Sequence, residues 1–408
     1  MEIQQFSGLA NKVAQEAIPL GALTTATNTD IDNAGKLRRR RGTTLISAGG
    51  FHSLFAVSDT EGYVVKDGDL CRFSASMAME VIAQGVGDDP LSYVRVADRI
   101  YAKSRTQALT FTPHGAAQPW GIPIVAGFTV TPIGSILGGT GFQIAVAYRR
   151  TLDGLEGGVI GAQDATGSAF TVSNIPSIPG HTASIYMTSG SGENLFLAAE
   201  GVVGSATVYQ SMVLDIPLRT LDKTPPTGAG PLAWLFGRIL IADGNVLWAT
   251  DPYQYELVDM IAGYKMFESE ITFVGNVSNG VFIGTQTGVF FMSGPFEAAQ
   301  LTRVSTHRTP KQVPQPIDMA EVLKGDDQGV GLLFMTDGGV CVGTAGGQVT
   351  NLTNKIFEFP KAEAMSVMVR SQDGMDQFVG VASHPGAPTG SARFGDFVDA
   401  EIVRFRGI

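Results

Sequence analysis

Charge is the first thing this chain is short of. Asp, Glu, Lys and Arg make up 16% of its 408 residues, against roughly 25% in ordinary soluble domains. Charge this sparse suits a chain with much surface buried in an assembly, or one with a large β core. The balance is acidic, with 38 Asp and Glu against 28 Lys and Arg and a formal net charge of −10. That disfavours a general nucleic-acid binder, whose affinity comes from neutralising phosphates. Cysteine is scarcer still. Cys71 and Cys341 lie in separate apolar runs and no Cys-x-x-Cys exists, so the spacing indicates neither a zinc site nor a redox pair, and both read as buried thiols. No apolar run approaches 20 residues and no basic-plus-apolar segment opens the chain, so neither membrane spanning nor secretion is expected.

The signatures of catalysis are missing too. The histidines (His52, His114, His181, His307, His384) are scattered, none at helical metal-ligand spacing from another. Gly35-Lys36 lacks the upstream Gly and following Ser or Thr of a phosphate loop, and no Gly-x-Ser-x-Gly elbow occurs. A sialidase-like enzyme needs repeated Ser-x-Asp-x-Gly-x-Thr-Trp boxes, which are not found. Asp88-Asp89 and Asp326-Asp327 are sequence neighbours on turns, whereas acid–base pairs stand opposed across a cleft. Asn28, Asp30 and Asp32 have calcium-loop spacing, but such a loop needs Gly sixth and Glu twelfth, and Asn33 and Arg39 stand there. The stretch Trp248–Tyr255 (WATDPYQY) offers rings for a sugar, though packing in a core or interface is the plainer reading. No catalytic residue, cofactor or metal is expected, and the chain does not read as an enzyme.

What is present is a repeated hairpin. Gly237–Thr250 runs as an apolar strand, an Asp243-Gly244 turn and a second apolar strand, the strongest short hairpin signal. The pattern recurs at Glu61–Phe73 with Asp67-Gly68, at Asn279–Met292 and Gly338–Leu352 with Thr and Gly, and more weakly at Asp98–Phe111 with Arg105-Thr106. A lone hairpin cannot bury its apolar face, so a run of them predicts stacking into a shared core. The expected fold is all-β, a β-propeller.

Between the hairpin-rich parts the texture changes. About seven short strands are expected over 125–213, among them the alternating Phe142–Tyr148, which suggests an inserted fibronectin type III-like β-sandwich. The resulting division is an extended N-terminal arm (1–45), a first propeller part (46–124), the inserted module (125–213), a linker with Pro225-Pro226 (214–231), and a second propeller part (232–408). The last strand is expected to complete the first blade. The arm, lacking a core of its own, is expected to order on a neighbour. It carries Arg38, Arg39, Arg40 and Arg41, a run able to grip phosphate, to pair with a neighbour's carboxylates, or simply to be solvated.

The arm FSGLANKVAQEAIPLGALTTATNTDIDNAGKLRRRRG resembles the opening of tail nozzle proteins (tail tubular protein B type) and related stabilisation proteins of short-tailed bacteriophages. In that family an Asn-x-Asp-Ile-Asp-x-x-Gly-x-Leu-Arg-Arg-Arg stretch introduces a β-propeller; here Arg41 stands where proline is usual. Trp120-Gly121-Ile122-Pro123 before the sandwich and the ending Gly395–Glu401 are similar too. The resemblance implies a structural virion protein of the tail, made in the bacterial cytoplasm: a nozzle, hub or adaptor forming a ring, six-fold by analogy. Its partners would be further copies, the portal or connector adaptor, other tail proteins, and duplex DNA passing without specific binding. Arg38, Arg39, Arg40 and Arg41, with Asp30 and Asp32, are the expected contact residues. A propeller that binds or cleaves host-surface glycans is the alternative, and a monomeric propeller scaffold is the third.

Overall fold

The computed structural model describes residues 5–6, 8–12, 14–26, 29–32, 34–39, 44–58, 60–134, 141–210, 215–322, 329–353, 361–372, 375–383 and 401–404. Among the described residues the regular structure is almost entirely β. Among the described residues six antiparallel sheets follow one another, at 51–83, 92–119, 223–266, 271–305, 315–351 and 364–404. We number them first to sixth. In the first, second, fourth and fifth, four strands run up and down with each paired to its sequence neighbour, the construction of a propeller blade.

Successive side chains of a strand point to opposite faces, and here both faces are used. In the fourth sheet Val274, Val281, Ile283 and Met292 pack with Leu240, Ala242, Leu247 and Ala249 of the third. The intervening Phe273, Phe282, Val289 and Phe291 pack with Leu332, Phe334 and Cys341 of the fifth. Leu333, Met335, Val340 and Val342 then meet Phe378, Met365 and Val367 of the sixth. Towards the other end, Tyr63, Val65 and Leu70 pack with Ile100, Ala102 and Phe111, and Val94 and Tyr101 with Ile239 and Ile241. The sheets are thus stacked face to face in chain order. Burial on two faces leaves few positions for charge, in keeping with the large β core that the sparse charge allowed.

Close approach between sheets uses glycine. A Cβ on Gly343 of the fifth sheet would stand 2.6 Å from the Phe282 ring of the fourth. One on Gly275 would collide with Leu332.

Of the two expected Asp-Gly turns, one stands where expected and one is shifted. Lys66 pairs with Asp69, so Asp67-Gly68 is the two-residue turn, and both residues have positive φ, 51° and 85°. In the third sheet Asp243 pairs with Val246, so the turn is Gly244-Asn245, one residue beyond the expected Asp243-Gly244. Gly244 has φ 58°, at the first turn position, where a II′ hairpin requires glycine.

Residues 129–209 form a three-stranded and a four-stranded sheet. They enclose a common core of Phe142, Ile144, Val146, Tyr148, Phe170, Val172, Ile185, Met187 and Val208. This sandwich is joined firmly to the stack. Lys223–Thr224, expected to lie in a linker, is a strand paired with Gln254–Asp259 of the third sheet. The preceding residues bond to the sandwich: Val159 N donates to Thr220 O and Asp222 N to Val159 O. Arg150 of the sandwich pairs with Asp153 and, at 3.2 Å, with Glu256 of the third sheet, a carboxylate only 8% exposed. The indole N–H of Trp120 donates to Tyr255 O at 2.7 Å.

One expectation about the chain ends is corrected. Glu401–Arg404 pairs with Met375–Ser383 inside the sixth sheet; among the described residues the first sheet has four strands of its own and takes none from the terminus. Part of the arm packs on its own chain. Gly8–Leu9 pairs with Ala22–Leu23, and Leu9 packs against the core between the fifth and sixth sheets.

Two substitutions test this packing. Gly343→Ala should destabilise by about 1–3 kcal/mol, the usual cost of an added methyl in a filled core, read as a lower denaturant midpoint with unchanged slope. Arg150→Ala strands a buried carboxylate and should cost about 3–5 kcal/mol, most of it recovered in Arg150→Ala/Glu256→Leu; equal loss in the double variant would mean the pair is unimportant to the joint.

Candidate contact site on the N-terminal arm

The first two arginines of the run, Arg38 and Arg39, lie on a small hairpin. Thr29–Ile31 pairs with Leu37–Arg39, with Asp30 opposite Arg38 and Thr29 opposite Arg39. The intervening turn is organised by Asp32, whose Oδ1 accepts the N–H groups of Ala34 and Lys36, each at 2.9 Å. Its other oxygen pairs with Arg38 Nε at 2.8 Å. Gly35, at φ 78°, closes the turn and accepts Phe6 N–H at 2.7 Å, which ties the hairpin to the start of the arm. Asp32 is held below the ordinary carboxylate value, first by the Lys36 N–H bond, against a desolvation cost, with Arg38 and the Ala34 N–H adding.

The carboxylate that sequence spacing offered as a cation ligand therefore serves the turn and its own arginine. The outward strand presents Leu37, Arg38 and Arg39, all exposed. The structure brings together Asp30, Asp32, Arg38 and Arg39 of the expected contact residues. Arg40, Arg41, Asn28 and Asn33 lie outside the described residues, as do His384, Asp326-Asp327 and the ending Gly395–Ala400.

The remaining candidates do not converge. Among the described residues no group of His, Cys, Asp and Glu could hold a metal ion. His114 lies beside Arg72 at 2.9 Å and His52 beside Ser53 at 2.8 Å. Cys71 and Cys341 are buried and free, and burial pushes the Cys341 thiol up to about 11. Lys103 is 6% exposed and donates to Ser104 O at 2.8 Å; burial lowers its pKa, with Asp243 opposing. Tyr101, packed on Trp120 and Tyr255, is raised to about 12, by burial first and then by Glu256.

One surface was not legible beforehand. In WATDPYQY, Trp248 and Tyr255 are half-buried in the core between the second and third sheets, so packing is the correct reading for them. Tyr253 instead is 79% exposed, beside Phe236 at 46% and Trp234 at 36%. Tyr253 N–H donates to Gly237 O at 2.7 Å, and its ring covers Gly237. Trp234 Nε1 donates to Tyr255 Oη at 3.3 Å. Phe236-Gly237 is itself a two-residue turn, between paired Leu235 and Arg238. A Phe-Gly pair followed by Arg is the signal that marked it, and it reads equally well as the start of a strand.

No protein-family model matches the chain, and neither does any characterised protein sequence. Similar solved structures include BBS1N in its complex with ARL6DN, at 10% identity and TM-score 0.34, covering 82% of this chain and 90% of that one. Hsv2 of Kluyveromyces lactis has 8% identity and TM-score 0.32, over 82% and 90%. Apo AztD of Citrobacter koseri has 11% identity and TM-score 0.29, over 76% and 73%. At scores this low none of them bears on what this chain binds or does.

The Asp32 turn predicts an acid-sensitive hairpin. A carboxyl depressed in the folded state contributes fully above its unfolded pKa, near 4, and loses that contribution as pH falls through the folded value. The protection factors of the Ala34 and Lys36 amides, taken against the intrinsic exchange rate at each pH, should hold from neutral pH down to about 4 and fall below it. In Asp32→Ala they should be small at every pH.

Proposed function

We propose that this chain is a structural virion protein of a phage tail. Its six sheets would close into a propeller bearing a fibronectin type III-like module, and copies would assemble as a ring around the DNA channel, joining the connector or adaptor to distal tail parts. The observation that carries the reading is the arm hairpin. The stretch Asp30-Ile31-Asp32 to Leu37-Arg38-Arg39, which supplies the family resemblance, folds as a separate unit on the stack. Asp32 is engaged within the turn, and the outward strand is exposed. Such a unit is suited to presenting guanidinium groups to a partner.

The ring acts mechanically, by holding a channel and letting a duplex pass. Each cation paired with a phosphate adds a salt-sensitive grip. A net charge of −10 per chain gives six copies a total of about −60, a field that keeps a duplex from sticking. The arginines therefore belong at protein contacts.

Electron microscopy of the purified protein, with sedimentation, should show closed rings. Arg38→Glu/Arg39→Glu should impair ring formation and leave duplex affinity unchanged and weak at about 0.15 M salt. Tight duplex binding by the unaltered protein, abolished in that variant, would place the arginines on DNA and overturn the reading.

A further inference from the structure

The aromatic turns of the third sheet are the largest feature that the reading above leaves unused. Phe236 has φ 46° and Tyr253 φ 58°, a backbone region that bulky side chains rarely occupy. Strain of this kind persists where the surroundings hold it, and it concentrates at working surfaces. Here Tyr253 is fixed by its bond to Gly237 O and Trp234 by its bond to the Tyr255 hydroxyl. Two of the three are thereby tied to the sheet, and all three, Phe236 included, are open to solvent. Arg238, beneath them, is already paired with Glu297 and donates to Thr250 O, so it is not a competing cation for the ring faces.

The same chain carries the complementary surface. Trp, Tyr and Phe faces are negative and attract guanidinium groups, which also stack on them through their planes. The arm hairpin displays Arg38 and Arg39 with the apolar Leu37 between turn and arginines. The two surfaces are far apart within one molecule. Leu9 anchors the arm at the core between the fifth and sixth sheets, and the whole fourth sheet stands between that core and the third, at about 10 Å per packed pair of sheets. A patch and its complement at separate places on one subunit make a head-to-tail contact, which closes into a ring when the rotation per copy permits.

We propose that the arm hairpin of one copy seats on the Trp234, Phe236 and Tyr253 rings of the next copy, with the Arg39 side chain stacked on those rings while Arg38 stays paired with Asp32. This rests on the ring reading and names its interface. Aromatic residues and arginine are the residue types enriched at the energetic centres of protein contacts, and both are presented here on rigid turns.

The test uses the full chain. Arg39→Ala and Tyr253→Ala should each weaken self-association roughly tenfold in sedimentation, and the double variant should be no weaker than either alone. Arg39→Cys mixed with Tyr253→Cys should give a disulfide-linked dimer under mild oxidation, with no interference from the two native thiols, which are buried. Because Tyr253→Ala also uncovers Gly237, Arg39→Glu on the exposed hairpin serves as the variant that leaves the sheet untouched. Rings that form equally well in all variants, with no cross-link, would overturn this interface and leave the ring reading standing. A protein monomeric at every concentration would overturn both. Saturable quenching of tryptophan fluorescence by a neutral polysaccharide, lost in Tyr253→Ala while self-association stays intact, would assign the rings to a glycan and overturn the proposal.

Discussion

Everything in this molecule depends on sheets that are apolar on both faces. A two-faced strand has no solvent side, so each sheet needs a partner on either hand, and the nearest partner is the next sheet along the chain. Phe273 and Val274 show the constraint at one residue's spacing: the first belongs to the core with the fifth sheet and the second to the core with the third. A slip of one residue in pairing would exchange the two sets and put phenylalanines where the third sheet leaves room for alanines. Gly343 and Gly275 set the spacing by letting a ring and a leucine lie directly on the neighbouring backbone.

Local signals were readable wherever a short stretch decides its own conformation. Asp67-Gly68 specified its turn because both residues tolerate positive φ. Phe142–Tyr148 declared a strand through alternation, and the sandwich core bears it out at Phe142, Ile144, Val146 and Tyr148. Asp243-Gly244 misled by one position because glycine satisfies either place in a tight turn, and the choice is made by pairing of the flanking strands. Lys223-Thr224 was hidden by the prolines that follow it. Two residues are too few to show a period, and their strand exists only because Gln254–Asp259 lies alongside.

The contact site was legible in composition and not in geometry. A run of arginines announces an electrostatic role, but no spacing rule shows that Asp32 would be used by backbone amides of its own turn. The aromatic turns were obscured for the opposite reason. Aromatics between apolar strands ordinarily belong to a core, as Trp248 and Tyr255 do, and only the positive φ of Phe236 and Tyr253 turns their rings outward. The placement of the terminal strand was likewise a matter of tertiary pairing, since Glu401–Arg404 fits any sheet edge by pattern alone.

The joint between sandwich and stack has a mechanical meaning. From Val159 through Thr220 and Asp222 to Met260, backbone groups are bonded across three adjacent segments at 2.7–3.0 Å, and the same ribbon continues as the strand pairing of Lys223 with Asp259. A pull on the sandwich is consequently shared among several bonds acting in parallel, with the Arg150–Glu256 pair as a further tether. Torque applied to the module reaches the third sheet without a slack tether between them. The module is a handle on the stack, and a load placed on it moves the whole body.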